Sequence, residues 1–483
     1  MPIEPEKTHT PRKRIFTEPV YKYLFVSAAL LFLVMSPLLP VPAEMGERGW
    51  STLAIVFLGI CLWFTGLIPP AVTAMMIIVL FPLFGVLGFE ESASTLGREV
   101  IWLIIAMLMM GAAVEKTGMD KRITYNMLVF TRGNMNLITL ALITAGFILT
   151  FFVPNAIGRV VVLVPIALGI VHSIGGDENP NVGKASMFAI TYTPIICAVG
   201  LITGATGSVY AASLFESMLG YSWTYVYWMV VMLPSTAATL LVLWLVISWM
   251  FPVKNVNKRA GLDYFHKEKD KLGRMSMNEK KLVALYAVLI LLWITQPVHG
   301  FSISLSALII VIFLYLPGME IMVWKETVKT VDWSVPILFA AGFTMALAFE
   351  AGGIVSWASS LASAHLNELP PLWLAATLLG AFSLIRIGFT NMTAMIASML
   401  PVALTFAVGT SFNPVWLGMI CLAACSTGFL FPSQSIGTMT TYSLGYYTSQ
   451  ELLKVGTWIT IAVFVFTLLA AFLYWPCIGL PIH

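Results

Sequence analysis

The sequence predicts an all-α polytopic membrane protein, with about eleven transmembrane helices plus two re-entrant helical hairpins in two inverted-topology repeats. Three observations predict it. Of the 483 residues, 59% are hydrophobic and only 10% charged, against roughly 25% charged in soluble domains. Charge-free stretches recur at 23–43, 49–89, 133–158, 185–215, 217–253, 282–319 and 387–450, and about 20 apolar residues suffice for a helix to cross a bilayer. Two polar, Asn-centred breaks, at 151–159 and 387–395, interrupt these runs, and a proline follows each at the same interval, Asn155 to Pro165 and Asn391 to Pro401. An unpaired amide in hydrocarbon costs several kcal/mol, so such backbone persists only where it is buried in protein or lines a cavity. One break in each half points to a single shared site near the midplane of a carrier built from repeated halves.

Lys7, Arg12, Lys13, Arg14 and Lys22 precede the first apolar run, and nine Lys and Arg outnumber four acids in the linker 254–281. The positive-inside rule places both in the cytoplasm. The chain then divides into a tail 1–22, an extra first helix 23–43, a first repeat 49–253, the linker, and a second repeat 282–478. An even number of crossings must separate the two basic clusters, and spans at 23–41, 51–67, 69–87, 100–114, 186–215 and 223–250 supply it. Pro69 and Pro70 mark the turn between the second and third. The remaining segment, 136–172, has two short apolar arms. Lys121, Arg122 and Arg132 flank it on one side and the polar stretch 175–184 on the other. Same-side flanks predict a re-entrant hairpin with its tip at Pro154, Asn155 and Ala156; two full crossings would give the same parity.

The second repeat follows the same order: spans at 282–295, 303–316 and 333–349, a hairpin at 371–408, then spans at 415–442 and 452–474. Trp102 and Gly111 have the same separation as Trp333 and Gly342. Five crossings per half after an extra first span force the halves into opposite orientations, with the N-terminus cytoplasmic and the C-terminus outside. The expected outer loops are poor in basic residues: 43–50 holds only Arg48, 89–99 only Arg98, and 351–370 none. The crossing after each hairpin is itself interrupted, at 203–208 and 426–438, where Gly loosens the helix and Pro removes a donor.

The helix N-termini that begin near Asn155 and Asn391 carry unpaired N–H groups and partial positive charge, which suit an anion. Unwound carbonyls from Thr203 to Ser208 and from Gly428 to Ser435 suit a small cation. Arg159 lies four residues after Asn155, and Arg386 five before Asn391. A charge near the bilayer centre costs about 3 kcal/mol or more, so such residues are functional candidates. Either arginine could pair with an anionic substrate, supply fixed positive charge in place of a bound cation, or be held by a salt bridge or by carbonyls. Glu115 and Glu350 end spans, as proton relays or as interfacial carboxylates. Cys61, Cys197, Cys421, Cys425 and Cys477 form no CxxC pair, and all six histidines fall in tails, loops or span ends, which argues against haem or zinc in the membrane. No HExxH, GxSxG or intramembrane Asp pair occurs, so neither enzymatic activity nor a nucleic-acid partner is expected.

This layout resembles the divalent anion/sodium symporter family, whose members carry dicarboxylates, citrate or sulfate; the likeness covers nearly the whole chain after residue 20. Members carry Ser-Asn-Thr at each hairpin tip. Here Pro154-Asn155-Ala156 and Thr390-Asn391-Met392 keep the Asn twice and lose most of its hydroxyl neighbours. The stretch 111–119 resembles that family's span before the first hairpin, and 430–438 its second broken helix. With the residues above, the resemblance gives candidate substrate contacts at Asn155, Ala156, Arg159, Asn391, Met392, Thr393, Ser208 and Thr438. Candidate cation contacts are Asn155, Thr203, Gly204, Thr390, Asn391 and Ser435, with Arg386 a candidate fixed charge. It implies a homodimeric secondary transporter of small anions, set in the lipid of a cell inner membrane. Na+ would be the coupling ion, with no other cofactor. A sodium-independent exchanger of the same fold and an anion channel remain alternatives; Arg159 beside a depleted triplet fits a fixed cation in place of sodium.

Overall fold

A computed structural model of the protein describes residues 20–42, 45–174, 179–253 and 257–483. Lys7, Arg12, Lys13 and Arg14 of the basic tail, and Lys254 at the start of the linker, lie outside them. Every regular element among the described residues is helical. That is what long apolar segments dictate, because a helix satisfies its own backbone where water is absent. The first half runs α1 (Val20–Met35), α2 (Gly49–Thr65), α3 (Pro70–Leu83), α4 (Phe89–Ser94), α5 (Glu99–Thr117), α6 (Met119–Val129), α7 (Met135–Leu149), α8 (Ala156–Ile174), α9 (Pro180–Cys197), α10 (Thr206–Leu219) and α11 (Tyr225–Met250). The second runs α12 (Lys258–Lys271), α13 (Met277–Ile294), α14 (Gln296–His299), α15 (Ile303–Phe313), α16 (Trp324–Thr330), α17 (Ser334–Ala351), α18 (Ile354–His365), α19 (Pro371–Arg386), α20 (Met392–Val408), α21 (Pro414–Cys425), α22 (Ile436–Ser443) and α23 (Ser449–Leu469).

Leaving out the single turn α14, the series α2 to α11 and α13 to α23 match element for element. Each contains two helices joined at an Asn-centred turn and then a crossing broken in the middle. The helices α5, α8, α11 and α17, and the segment 449–478, are individually long and apolar enough to cross a membrane. Among the described residues, nine further apolar helices are shorter.

Some elements differ from expectation. The helices α6 and α18 occupy stretches read as a flank and as an outer loop, and α12 fills most of the linker. All three are amphipathic. In α12, for example, Gly261 and Phe265 are buried while the charged residues face out, and a helix with one narrow apolar stripe leaves no long hydrophobic run in the sequence. The first helix stops at Met35, short of Val41, and a 3-10 turn over Ser36–Leu38 follows, because Pro37 cannot supply the N–H that another α-helical turn requires.

The two halves interlock. The helix α3 packs on α17 and α5 on α15, and the Thr95 and Thr344 hydroxyls meet across the halves at 3.1 Å. Nearer the centre, α10 packs on α20 and α22 on α8, so each broken crossing leans on the other half's Asn-capped helix. Glycine permits this approach. A Cβ on Gly207 would stand 2.7 Å from Ile396 Cδ1, and one on Gly437 3.0 Å from Val160 Cγ2.

Candidate anion-binding site

The two Asn-centred turns are built alike. Pro154 cannot continue α7, and Asn155 then opens α8 by accepting the Ile157 N–H on its side-chain oxygen at 3.0 Å. Asn391 does the same for α20, accepting the Thr393 N–H at 2.8 Å. An Asn before a helix satisfies one of the first-turn donors that the helix cannot pair internally. An aromatic side chain from the opposite half steadies each tip. The Tyr286 hydroxyl of α13 donates to the Phe152 carbonyl at 2.6 Å, with the two rings edge to face at 4.9 Å. Phe64 of α2 packs edge to face on Phe389 at 6.0 Å.

Both tips open on one cavity of about 70 Å³. Of the residues singled out in the sequence, Asn155, Ala156, Thr390, Asn391, Met392, Thr393, Ser435 and Arg386 line it. Its remaining wall is Pro154, Ile157, Ile195, Ala198, Ala205, Thr206 and Ile436. The sequence signals these only through the positions of the breaks, since apart from the Thr206 hydroxyl their side chains are apolar. Four helices, α8, α10, α20 and α22, begin at this wall. Their unpaired N–H groups and dipoles concentrate positive potential there, and no Asp or Glu lines the cavity. The arrangement suits a small anion.

Several candidates lie behind the wall. The Ser208 hydroxyl is buried and donates back to the Ala198 carbonyl at 2.8 Å. Thr438 is buried two residues into α22, and its hydroxyl lacks a protein partner, as does that of buried Thr203. The Gly204 carbonyl accepts from Arg159, so it does not face the cavity. Ser208 and Thr438, expected as substrate contacts, and Thr203 and Gly204, expected as cation contacts, therefore do not line this cavity. Spacing along an unwound segment fixes depth but not the direction in which each group points.

Arg159 is also fully buried away from the cavity, with Nη2 donating to the Pro194 and Gly204 carbonyls, each at 3.0 Å. Its Nε and Nη1 have no hydrogen-bond partner. Arg386 donates from Nε to the Cys425 carbonyl at 3.1 Å, from Nη1 to Phe389 at 2.5 Å and from Nη2 to Gln434 at 2.7 Å. Both arginines are thus held by carbonyls, and among the described residues neither forms a salt bridge.

A second cavity, of about 90 Å³, lies on the other side of the first tip, where Glu115, Asp120 and Asp332 join Asn155 and Gly158. Glu350 is exposed. Asp120, in the first turn of amphipathic α6, is 1% exposed. Burial pushes its carboxyl up to about 6, against the Lys121 N–H that favours the ionised form.

A sequence model described as the sodium:sulfate symporter transmembrane region matches residues 21–480. A membrane protein of Cupriavidus necator is 25% identical, over 94% of this chain and 92% of its own length. The sodium-dependent dicarboxylate transporter SdcS of Staphylococcus saprophyticus is 24% identical, over 94% of this chain and 91% of its own; that of Staphylococcus aureus is 24% identical, over 97% and 95%. Among solved structures, the MtrF efflux pump of Neisseria gonorrhoeae superposes with a TM-score of 0.58 at 14% identity, covering 96% of each chain. The YdaH transporter of Alcanivorax borkumensis gives 0.56 at 13%, covering 85% of this chain and 99% of its own. At such identities the two superpositions speak for the fold alone.

Proposed function

This chain belongs to the sodium:sulfate symporter family, and from that membership we propose a secondary active transporter that carries small divalent anions by alternating access. The observation that carries the reading is the shared cavity. Two Asn-capped tips, one from each half, meet four helix N-termini with no acidic side chain among the lining residues, which is a place for a dicarboxylate or a sulfate-like ion. The relatives' names supply the substrate class and sodium as the coupling ion.

In this reading α1, α2, α3, α5, the pair α9 and α10, α11, α13, α15, α17, the pair α21 and α22, and α23 make eleven crossings. The helix pairs at the tips are re-entrant hairpins that enter from opposite faces of a cell inner membrane. The N-terminus is cytoplasmic and the C-terminus outside. Two copies form a homodimer, and the tip-bearing units move against the remaining helices.

Uptake of labelled sulfate, succinate and citrate into proteoliposomes tests the function, with counterflow separating a carrier from a channel. Internal substrate should accelerate uptake. Anion flux indifferent to internal substrate would make the protein a channel, and catalytic turnover of these anions would make it an enzyme.

A further inference from the structure

The helix α9 of the first half reaches across to the broken crossing of the second. Tyr192, fully buried on α9, donates its hydroxyl to the Phe429 carbonyl at 2.8 Å, and the Leu452 carbonyl of α23 lies 3.2 Å away. Phe429 stands in the break between α21 and α22, and its ring meets that of Tyr192 edge to face at 5.5 Å. The helix α23 is shaped to receive the same carbonyl, because a Cβ on Gly456 would stand 2.1 Å from the Phe429 oxygen. The preceding residue of α9 makes contact beyond the break. The Thr191 and Thr441 hydroxyls, on α9 and α22, meet at 2.7 Å, and Thr441 meets the Tyr447 hydroxyl at 2.8 Å.

A break in a membrane helix frees amides and carbonyls that must find partners within the protein. In the second break the Leu430 and Phe431 N–H groups go to Gln434 Oε1, at 2.7 and 2.8 Å. The Phe429 carbonyl is held from the other half. Fixing a carbonyl fixes the plane of its peptide unit, and with it the direction in which the chain leaves. The chain leaves toward Ser435 and Ile436, at the start of α22, and both line the anion cavity. On the facing wall is Ile195 of α9, three residues beyond Tyr192. The tie runs one way: Ile420, five residues from the end of α21 as Tyr192 is from the end of α9, has no hydroxyl to return it.

We propose that Tyr192 is a positioning residue for the anion site, which sets the turn of the second break through the Phe429 carbonyl and so keeps the first residues of α22 against the cavity. The proposal rests on the reading of the cavity as an anion carrier's site and adds to it a residue outside the cavity wall. A phenylalanine would fill the same space and keep the ring contacts, so the hydroxyl alone carries the effect. Without it the Phe429 carbonyl is free to turn. The start of α22 then samples directions in which its N–H groups miss the anion, and binding weakens while the moving parts stay the same.

The test uses the purified full chain in liposomes, with labelled sulfate and succinate as probes, and compares Tyr192→Phe with Tyr227→Phe. Tyr227, on α11, donates to the Ile478 carbonyl at 3.1 Å, so its variant loses a bond of the same kind away from the second break. In Tyr192→Phe the KM for the transported anion should rise about fivefold, the equivalent of one hydrogen bond of about 1 kcal/mol, with the maximal rate unchanged. Tyr227→Phe should keep the wild-type KM. An unchanged KM in Tyr192→Phe, or an equal rise in both variants, would overturn the proposal and leave the carrier in place. No uptake of either anion by the wild type would overturn the carrier reading and this proposal with it.

Hydrogen exchange gives a second readout that a loss of packing alone would not produce. Amides over 428–437 should exchange faster in Tyr192→Phe than in the wild type, while those over 203–208, in the first break, keep their rate. Exchange unchanged over 428–437, or raised equally in both breaks, would contradict the assignment.

Discussion

Asn155 and Asn391 each cap a helix from within the wall of the cavity, so in the proposed site one side chain would serve a structural and a binding task at once. Loss of such a cap costs about 1 kcal/mol, too little to unfold a protein of this size. Asn155→Ala and Asn391→Ala should therefore each abolish anion uptake in proteoliposomes while the melting temperature falls by only a few degrees; wild-type rates would remove these amides from the site. Asp120 makes a prediction about pH. Its carboxyl is raised from 3.8 to about 6, so ionising it opposes folding, with no penalty below the lower value and the full penalty above the higher. Asp120→Asn should stabilise the protein at pH 8 by on the order of 3 kcal/mol and leave it nearly unchanged near pH 4, as read from thermal unfolding at the two pH values. Equal shifts at both would assign the effect to packing. At this scale the two Asn were legible because an amide in an apolar run has few structural uses. The placements of Ser208 and Arg159 were not, because each depends on which carbonyl lies across a break.

The paired helices at the tips and the broken helices that follow them line the cavity, and their bounds lie close to those expected. The expected span 51–67 is Gly49–Thr65, and the expected hairpin 371–408 is Pro371–Arg386 followed by Met392–Val408. Long apolar runs closed by Pro, Gly or Asn leave little freedom in where a helix ends. The amphipathic helices α6, α12 and α18 escaped, since their mixed composition resembles that of a polar connection. The aromatic locks on the tips escaped as well: nothing at Tyr286 says that its hydroxyl will meet the Phe152 carbonyl. If that bond holds the first tip in its present position, Tyr286→Phe should release about 1 kcal/mol of restraint and speed hydrogen exchange of the tip amides over 150–157. An unchanged exchange rate would mean that ring packing alone positions the tip.

In the whole molecule, two copies of one helix order are folded into each other, so that neither half could form the cavity by itself. The duplication was visible in paired intervals such as Asn155 to Pro165 and Asn391 to Pro401. The interlock of α3 with α17, of α10 with α20 and of α22 with α8 was not, because a uniformly apolar helix surface does not specify its neighbour. A charged tie at the linker supports the assembly. Arg122 on α6 bonds Glu279 of α13 at 2.5 Å and the carbonyls of Leu272 and Gly273 at 3.0 Å each. Burial alone would raise the Glu279 carboxyl, but Arg122 and the Ser276 cap outweigh it and hold it below its usual range.

The central claim is that the two tips, one from each half, close around a single anion. A cryo-electron microscopy map of the full chain saturated with sulfate or succinate tests it most directly. The account predicts density for one anion between Asn155 and Asn391, against the first turns of α8 and α20 and beside Arg386. An anion bound elsewhere, or the two asparagines apart and facing lipid, would contradict it.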